Sequence, residues 1–540
     1  MRIAAALTSA VILALGCEGT PVVYSAGDDF AIAVPPSVAS DPSGAAAFDP
    51  HLDGFESIEL RFRVEHASGA TCAIELTQGD ADLGALDGAL TADACTASWD
   101  GRDATGAVVP PGVVEATAVL TRGRESARAT TSVEVLRLGV SEVALTGAGR
   151  IAVLYSALDG LRYGYYEVEA TAVPWRLAPD AVEMGGAPLE LADGTPRERP
   201  EPWDDLTSPP LDGASADGVE RDTFNLPTAW IAGSTVDVSA RFTTAYADGV
   251  ADPTLVEVRA VAPEGLSLLD PPAVVDGAEV ALETTASPIP AVGRYDVTWA
   301  WRFEARRDAA SPWVPVPGHF DTTHRFYGVV AEPTFGYDEV PHRAWVDVLD
   351  RVTGWVDGAS ADPDAVASRI VEGVYLELGL RYDRMAGASH YTDYPGGWER
   401  ATFELSRFQD LSSGTIVNCS DAASIVSTYA NMVGIDLSYH IIQHQFLDRF
   451  ELNYLSAIGF DFAPSPFTSG RSAFRYHAIT GPPDTRVFDA TLAVDGDDDP
   501  GSAPNERLLV QGLTQADYLY RLSPESDRVR VTVEEKVRIR

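Results

Sequence analysis

Toward the C-terminal end of this chain stand three side chains of the types an activated nucleophile needs: Cys419, His477 and Asp489. A thiolate can attack a carbonyl carbon, an imidazole can carry the proton, and a carboxylate can orient the imidazole, which together make a covalent acyl-transfer site. Cys419 is also the cysteine with no other assigned role. Of four cysteines, Cys17 lies in the N-terminal leader, while Cys72 and Cys95 share one β-rich stretch and can pair in an oxidising compartment. The plain alternative for Cys419 is a buried structural thiol.

The element that must position Cys419 is readable. Apolar residues at 422, 425, 426, 429, 430 and 433 recur at helical spacing, which predicts an amphipathic helix stopped at Gly434. Asn418 is a good N-cap, so Cys419 takes the first helical position, where free N–H groups and the helix dipole favour an anion. His477 and Asp489 sit on two strand-like runs, 474–480 and 486–492, separated by the turn-forming Gly481-Pro482-Pro483-Asp484-Thr485. A hairpin symmetric about Pro483 puts His477 directly opposite Asp489, with Cβ atoms about 5 Å apart. A slip of one residue would send them to opposite faces. Taken singly, His477 reads as an ordinary half-buried histidine.

As an ordered set, Cys419 at a helix start, Gly434-Ile435 at its end, His477, then Asp489-Ala490-Thr491 resembles the transglutaminase-like superfamily, a branch of the papain-like cysteine enzymes. Leu380-Arg381-Tyr382-Asp383 is similar to that family's entry segment, and the likeness covers about 335–520. The chain departs from the family in having Ala478-Ile479 after the histidine and Val417-Asn418 before the cysteine. The resemblance implies Cys419 as nucleophile, His477 as general base and then acid, and Asp489 as its orienter. It implies a thioester formed from an amide or peptide and resolved by water or by an amine. The oxyanion would meet the Cys419 backbone N–H and one more donor, with Asn418, Trp398 and Gln409 as candidates. The substrate would be a protein or peptide, cell-wall peptide included. No cofactor is required. A second reading has the same scaffold as a catalytically silent surface module that binds peptide or polysaccharide.

Asp495, Asp497, Asp499 and Glu506 fall at positions 1, 3, 5 and 12 of a calcium-type loop, but Pro500 stands where such loops need glycine. A solvated acidic turn is the expectation there, with calcium the alternative.

The leader has Arg2, an apolar run from Ile3 to Leu15, and Gly16 before Cys17. It resembles a bacterial lipoprotein signal, which implies lipidation at Cys17 and an envelope protein held to the membrane by lipid alone. Ala14 occupies the usual leucine place, so ordinary signal cleavage stays open. The net charge of -41 argues against nucleic acid. Lys536 is the only lysine.

A chain of 540 residues predicts several domains. Residues 1–17 read as the signal and 18–54 as a linker. Residues 55–138 read as short alternating strands around Trp99-Asp100-Gly101-Arg102-Asp103-Ala104-Thr105-Gly106 and Pro111-Gly112. That pair of turns resembles the Ig-like repeat of the flagellar hook-capping family. A second β-sandwich-like domain is expected over 139–332, with a polar, proline-rich loop near 186–222. Residues 333–540 change texture: helical spacing over 342–355, a helix from Asp362-Pro363 to near Gly379, the Cys419 helix, then strands ending in one over 528–540. The expected fold class is multidomain, N-terminal all-β (Ig-like sandwiches) followed by an α+β domain, transglutaminase-like or papain-like by resemblance. The oligomeric state is not readable.

Overall fold

The structure is a computed structural model. It describes residues 36–40, 47–136, 138–159, 162–166, 175–176, 224–244, 257–268, 274–275, 280–334, 344–356, 361–394, 401–482, 486–504, 506–533 and 536–539. The leader with Cys17, the 186–222 loop, Trp398 and the Pro483–Thr485 turn lie outside the described residues.

The chain is mostly β-sheet, with its longest helices in the C-terminal part. Eight strands form the first module. In the strand Ile58–Glu65 the inward residues Ile58, Leu60, Phe62 and Val64 are buried while their neighbours face out, the alternation a half-buried strand requires. Trp99 anchors this core edge-on to Phe48, and its indole N–H donates to the Arg102 carbonyl 2.9 Å away. Asp103 organises the following turn by accepting from the Thr105 N–H, the Thr105 hydroxyl and the Ala107 N–H. A disulfide joins Cys72 to Cys95 beside Gly88, where a Cβ would stand 2.7 Å from the Cys95 sulfur.

The stretch read as a linker contributes to this module. Ser37–Ser40 pairs with the Ile58 strand, and Ala47–Phe48 pairs with Glu125–Val135. Elements of four and two residues are too short for a period-2 pattern to register. Residues from 138 on build two sheets of six strands each around Trp230, Trp301, Phe242 and Phe303.

In the C-terminal part, helices Pro363–Leu376 and Cys419–Met432 pack on an antiparallel sheet with strand order Phe462–Ala463, Leu455–Ala457, Arg486–Asp495, His477–Gly481, Ser438–His444, Val529–Val533, while helix Val346–Trp355 packs on those two helices and on the strands Val153–Asp159, Gly293–Arg306 and Val314–Val329. Arg507–Thr514 adds to the Arg486 strand. The first helix starts at Val346, because Ala344–Trp345 is a strand paired with Val153–Leu154 of the preceding region. The final strand read over 528–540 is two strands in two sheets. Val529–Val533 pairs with Ser438–His444, and Arg538–Ile539 pairs with Thr402–Phe403.

The boundary at 332/333 divides the chain but not the packing. Ile151, Val153, Leu226, Ala229, Val292, Tyr327 and Val329 belong to the same hydrophobic core as the Cys419 helix and the His477 strand. No helix among the described residues is long and apolar enough to cross a membrane.

Candidate active site

The short strand Ile416–Val417 runs parallel to Arg381–Tyr382 and delivers the chain into the Cys419 helix. Asn418 caps that helix: its side chain accepts from the Asp421 N–H at 3.0 Å, and Asp421 reaches back to the Asn418 N–H at 3.1 Å. This capping box fixes Cys419 at the first helical position, where its own N–H stays outside the helical ladder. Every residue of the helix is buried, which departs from the amphipathic expectation. Most of its polar side is met by protein: Ser420 meets the Tyr476 hydroxyl, Ser424 meets Thr392, and Ser427 and Asn431 hold the Leu437 carbonyl, while the Thr428 hydroxyl has no such partner. Asp421 also accepts from the Ser389 hydroxyl and the His390 and Tyr391 N–H groups.

Across from the helix, His477 opens its strand and Asp489 lies on the next. The predicted register is corrected by two residues. Thr480 pairs with Phe488, so the hairpin is symmetric about residue 484 and Asp489 is a diagonal neighbour of His477. A shift of two preserves which face each side chain takes, and diagonal neighbours remain within reach of an imidazole. His477 Nε2 is 2.8 Å from Asp489 Oδ2. The ring stacks on Phe474 with centroids 5.1 Å apart and planes 6° apart. Asp489 makes two more bonds, accepting from the Thr491 N–H at Oδ1 and from the Tyr518 hydroxyl at Oδ2, both at 2.7 Å.

Burial pulls the His477 pKa down, but the charge and hydrogen bond of Asp489, joined by Cys419, outweigh it and leave the pKa raised to about 9. With Nε2 engaged by the carboxylate, Nδ1 has no hydrogen-bond partner among the described residues, and Cys419 contributes to the raised pKa of the ring after Asp489. All three side chains are nearly closed off, with Cys419 only 3% exposed. An imidazolium between a carboxylate and a thiol can hold a thiolate in place and then return its proton to a leaving amine.

The oxyanion candidates are redistributed. Both ends of the Asn418 amide are engaged, in the cap and in a bond from Nδ2 to the Gly387 carbonyl at 3.0 Å. Gln409 lies toward the other end of the helix, its Nε2 3.4 Å from the Tyr429 hydroxyl. Tyr429 is ten residues past Cys419, about 15 Å along a helix. What surrounds Cys419 is a set of phenols that sequence reading missed. Tyr382, Tyr439 and Tyr476 each have their pKa raised, first by burial and next by the charge of Cys419. Tyr439 shares a 2.7 Å bond with the Tyr394 hydroxyl. Tyr382 stood within the segment already singled out, Leu380 to Asp383. Tyr518, on the short helix Gln515–Leu522, left no spacing signal.

The acidic stretch does not gather as a calcium loop. Asp495 and Asp497 each accept an N–H two residues on, which makes a run of local turns, and Arg521 donates to the Asp495 and Asp497 carbonyls. Among the described residues, three metal-capable side chains converge only at Asp53, His319 and Asp321.

No family model and no curated relative matches the chain. Solved structures align over about half of it. A titin Ig tandem, A164-A165, is 9% identical with TM-score 0.14, covering 54% of this chain and 96% of that one. The DIP-gamma IG1+IG2 pair is 6% identical with TM-score 0.14, covering 55% and 99%. Red sea bream transglutaminase is 8% identical with TM-score 0.14, over 55% of this chain and 32% of that chain. Likeness at this level carries no weight for fold or function.

Proposed function

We propose that the chain is an exported cysteine enzyme of the transglutaminase-like type, acting on an amide or peptide through Cys419, His477 and Asp489. The observation that carries this reading is the 2.8 Å bond between His477 Nε2 and Asp489 Oδ2 on a ring that Cys419 also acts upon. In the reaction, the Cys419 thiolate bonds to the carbonyl carbon and the π electrons move onto oxygen. The tetrahedral adduct collapses, the C–N bond breaks, and the His477 imidazolium gives its proton to the departing amine. The neutral imidazole then takes a proton from water or from an acceptor amine, which attacks the thioester and frees Cys419. Lipidation at Cys17, from the leader pattern, would hold the enzyme at the cell envelope. The acyl donor is a protein or peptide, cell-wall peptide included.

The near-complete burial of Cys419 favours a second reading, a silent module that binds peptide or polysaccharide. Alkylation by iodoacetamide at neutral pH separates the two. The enzyme reading expects Cys419 to react at least about tenfold faster than glutathione, because a thiolate rather than a thiol is the nucleophile, and expects His477→Ala to abolish the advantage. A Cys419 no faster than glutathione, with His477→Ala without effect, leaves only the binding module.

A further inference from the structure

We propose that Arg381, Arg384 and Arg471 form a subsite for the carboxylates of an acidic peptide, so that the acyl donor is anionic; this rests on the acyl-transfer reading above. The chain carries 80 acidic side chains against 39 lysines and arginines, so an arginine here ordinarily finds a carboxylate. Arg259, Arg306, Arg325 and Arg521 do so. Arg381, Arg384 and Arg471 make no ion pair among the described residues. Arg381 and Arg471 are exposed, and Arg384 is half-buried. Aromatic rings hold them instead. The Arg381 and Arg384 guanidiniums lie 5.0 and 4.7 Å from the centre of the Phe460 ring, and the Arg471 guanidinium 5.9 Å from that of Phe467. Arg384 is further fixed by donating from Nε to the Pro466 carbonyl at 2.9 Å. The Arg381 stem packs on Gly459, where a Cβ would stand 2.9 Å from its Cγ.

The patch adjoins the triad through ring contacts and a strand pair. Phe467 meets Phe474 with centroids 5.8 Å apart, and Phe474 is the ring stacked on His477. Arg381 stands on the strand paired with Ile416–Val417, which leads into Cys419. Two guanidiniums on one ring lie within a Debye length of each other, about 10 Å at 0.1 M salt, and repel. Nearby carboxylates are already taken. Asp383 accepts from the Met385, Ala386 and Ala388 N–H groups, and Asp461 faces Arg507 at 3.4 Å. An incoming carboxylate relieves the repulsion and accepts the parallel N–H donors of a planar guanidinium. Phosphate suits the same forks, but a peptide substrate brings carboxylates. The net charge of -41 repels an acidic peptide at long range, so a preference for one has to come from a local site.

The test uses the full-length chain with two peptide 4-nitrophenyl esters of equal length, one carrying three glutamates and the other three glutamines. Wild type is expected to favour the acidic ester by about tenfold in kcat/KM, the sum of three modest charge pairs. Arg384→Gln combined with Arg471→Gln should bring that ratio to about twofold or less, and the matching pair of lysine substitutions should fall between. A folding defect slows both esters and leaves the ratio alone, so the ratio reports the subsite. Arg128→Gln, on the first module, should not move it. A wild-type ratio at or below one, a ratio that the glutamine pair leaves in place, or an equal shift from Arg128→Gln overturns the assignment. If wild type cleaves neither ester, the acyl-transfer reading falls. The subsite is then read from binding of the same peptides, fluorescein-labelled and without the ester, to the Cys419→Ser protein. Acidic peptide bound about tenfold tighter, with the advantage lost in the glutamine pair, upholds the subsite; equal binding overturns it. Arginine-dependent binding to phosphatidylglycerol vesicles, with no preference between the peptides, assigns the patch to a membrane and overturns it as well.

Discussion

The Tyr518 hydroxyl and His477 Nε2 converge on the same oxygen of Asp489, at 2.7 and 2.8 Å, from the helix Gln515–Leu522 and a strand of the sheet. The carboxylate is thereby held on two sides, with the Thr491 N–H on its other oxygen. Removing the phenol leaves a buried carboxylate short of one donor. Tyr518→Phe should lower stability by about 1.5–3 kcal/mol, the range for hydrogen bonds to charged groups. Urea unfolding measures this, and a loss under about 0.5 kcal/mol would show that Tyr518 merely packs there.

Stability should depend on pH through His477. Its folded pKa, raised to about 9, exceeds the ordinary 6.5, so the folded state holds the proton more tightly. The stabilising contribution is therefore complete below about 6.5 and fades as pH rises through about 9. A difference of this size corresponds to at most about 3 kcal/mol. Denaturation midpoints across pH 6 to 10 should fall for wild type and fall less for His477→Gln. Parallel curves would contradict the buried imidazolium.

Asn418 should matter through the backbone. Asn418→Ala removes the cap of the Cys419 helix and the bond to Gly387, and a lost cap alone costs about 1 kcal/mol. Asn418→Asp keeps the cap and should recover most of that loss. Thermal melts of the pair decide it; equal losses would assign the effect to the Gly387 bond.

The Cys72–Cys95 bridge closes a loop of 23 residues in sequence separation. Its removal in a Cys72→Ser, Cys95→Ser double variant should cost about 3 kcal/mol of first-module stability. The iodoacetamide rate of Cys419 should be unchanged, since the first module has its own core. A parallel change in that rate would show that the modules are coupled.

Much of the site's scaffold was legible because it rests on local rules. Asn418 reads as the N-cap from its residue type, and it caps the helix, with Asp421 completing a capping box that the sequence reading did not name. The face shared by His477 and Asp489 was legible from parity, whereas their direct opposition was not, since turn composition alone does not set which residue lies at the apex. Serine and asparagine look solvent-facing in sequence, so the helix reads as amphipathic; here Ser424, Ser427 and Asn431 are buried and paired with other protein groups. The phenols around Cys419 come from separate strands and loops, so no spacing announces them. The acidic run at 495–506 matched a ligand pattern by composition, but Arg521 enters from a later helix to bind its carbonyls.

The core that Val153, Tyr327 and Val329 share with the Cys419 helix bears on how this chain can be handled. A fragment cut at 333 would leave half of an apolar interface facing water and would lose the Val153 strand that Ala344 pairs with. The Cys419 helix therefore draws its core from residues that begin near 151, and the region that carries them is itself packed in a core that takes in Ala47, Leu52 and Leu136.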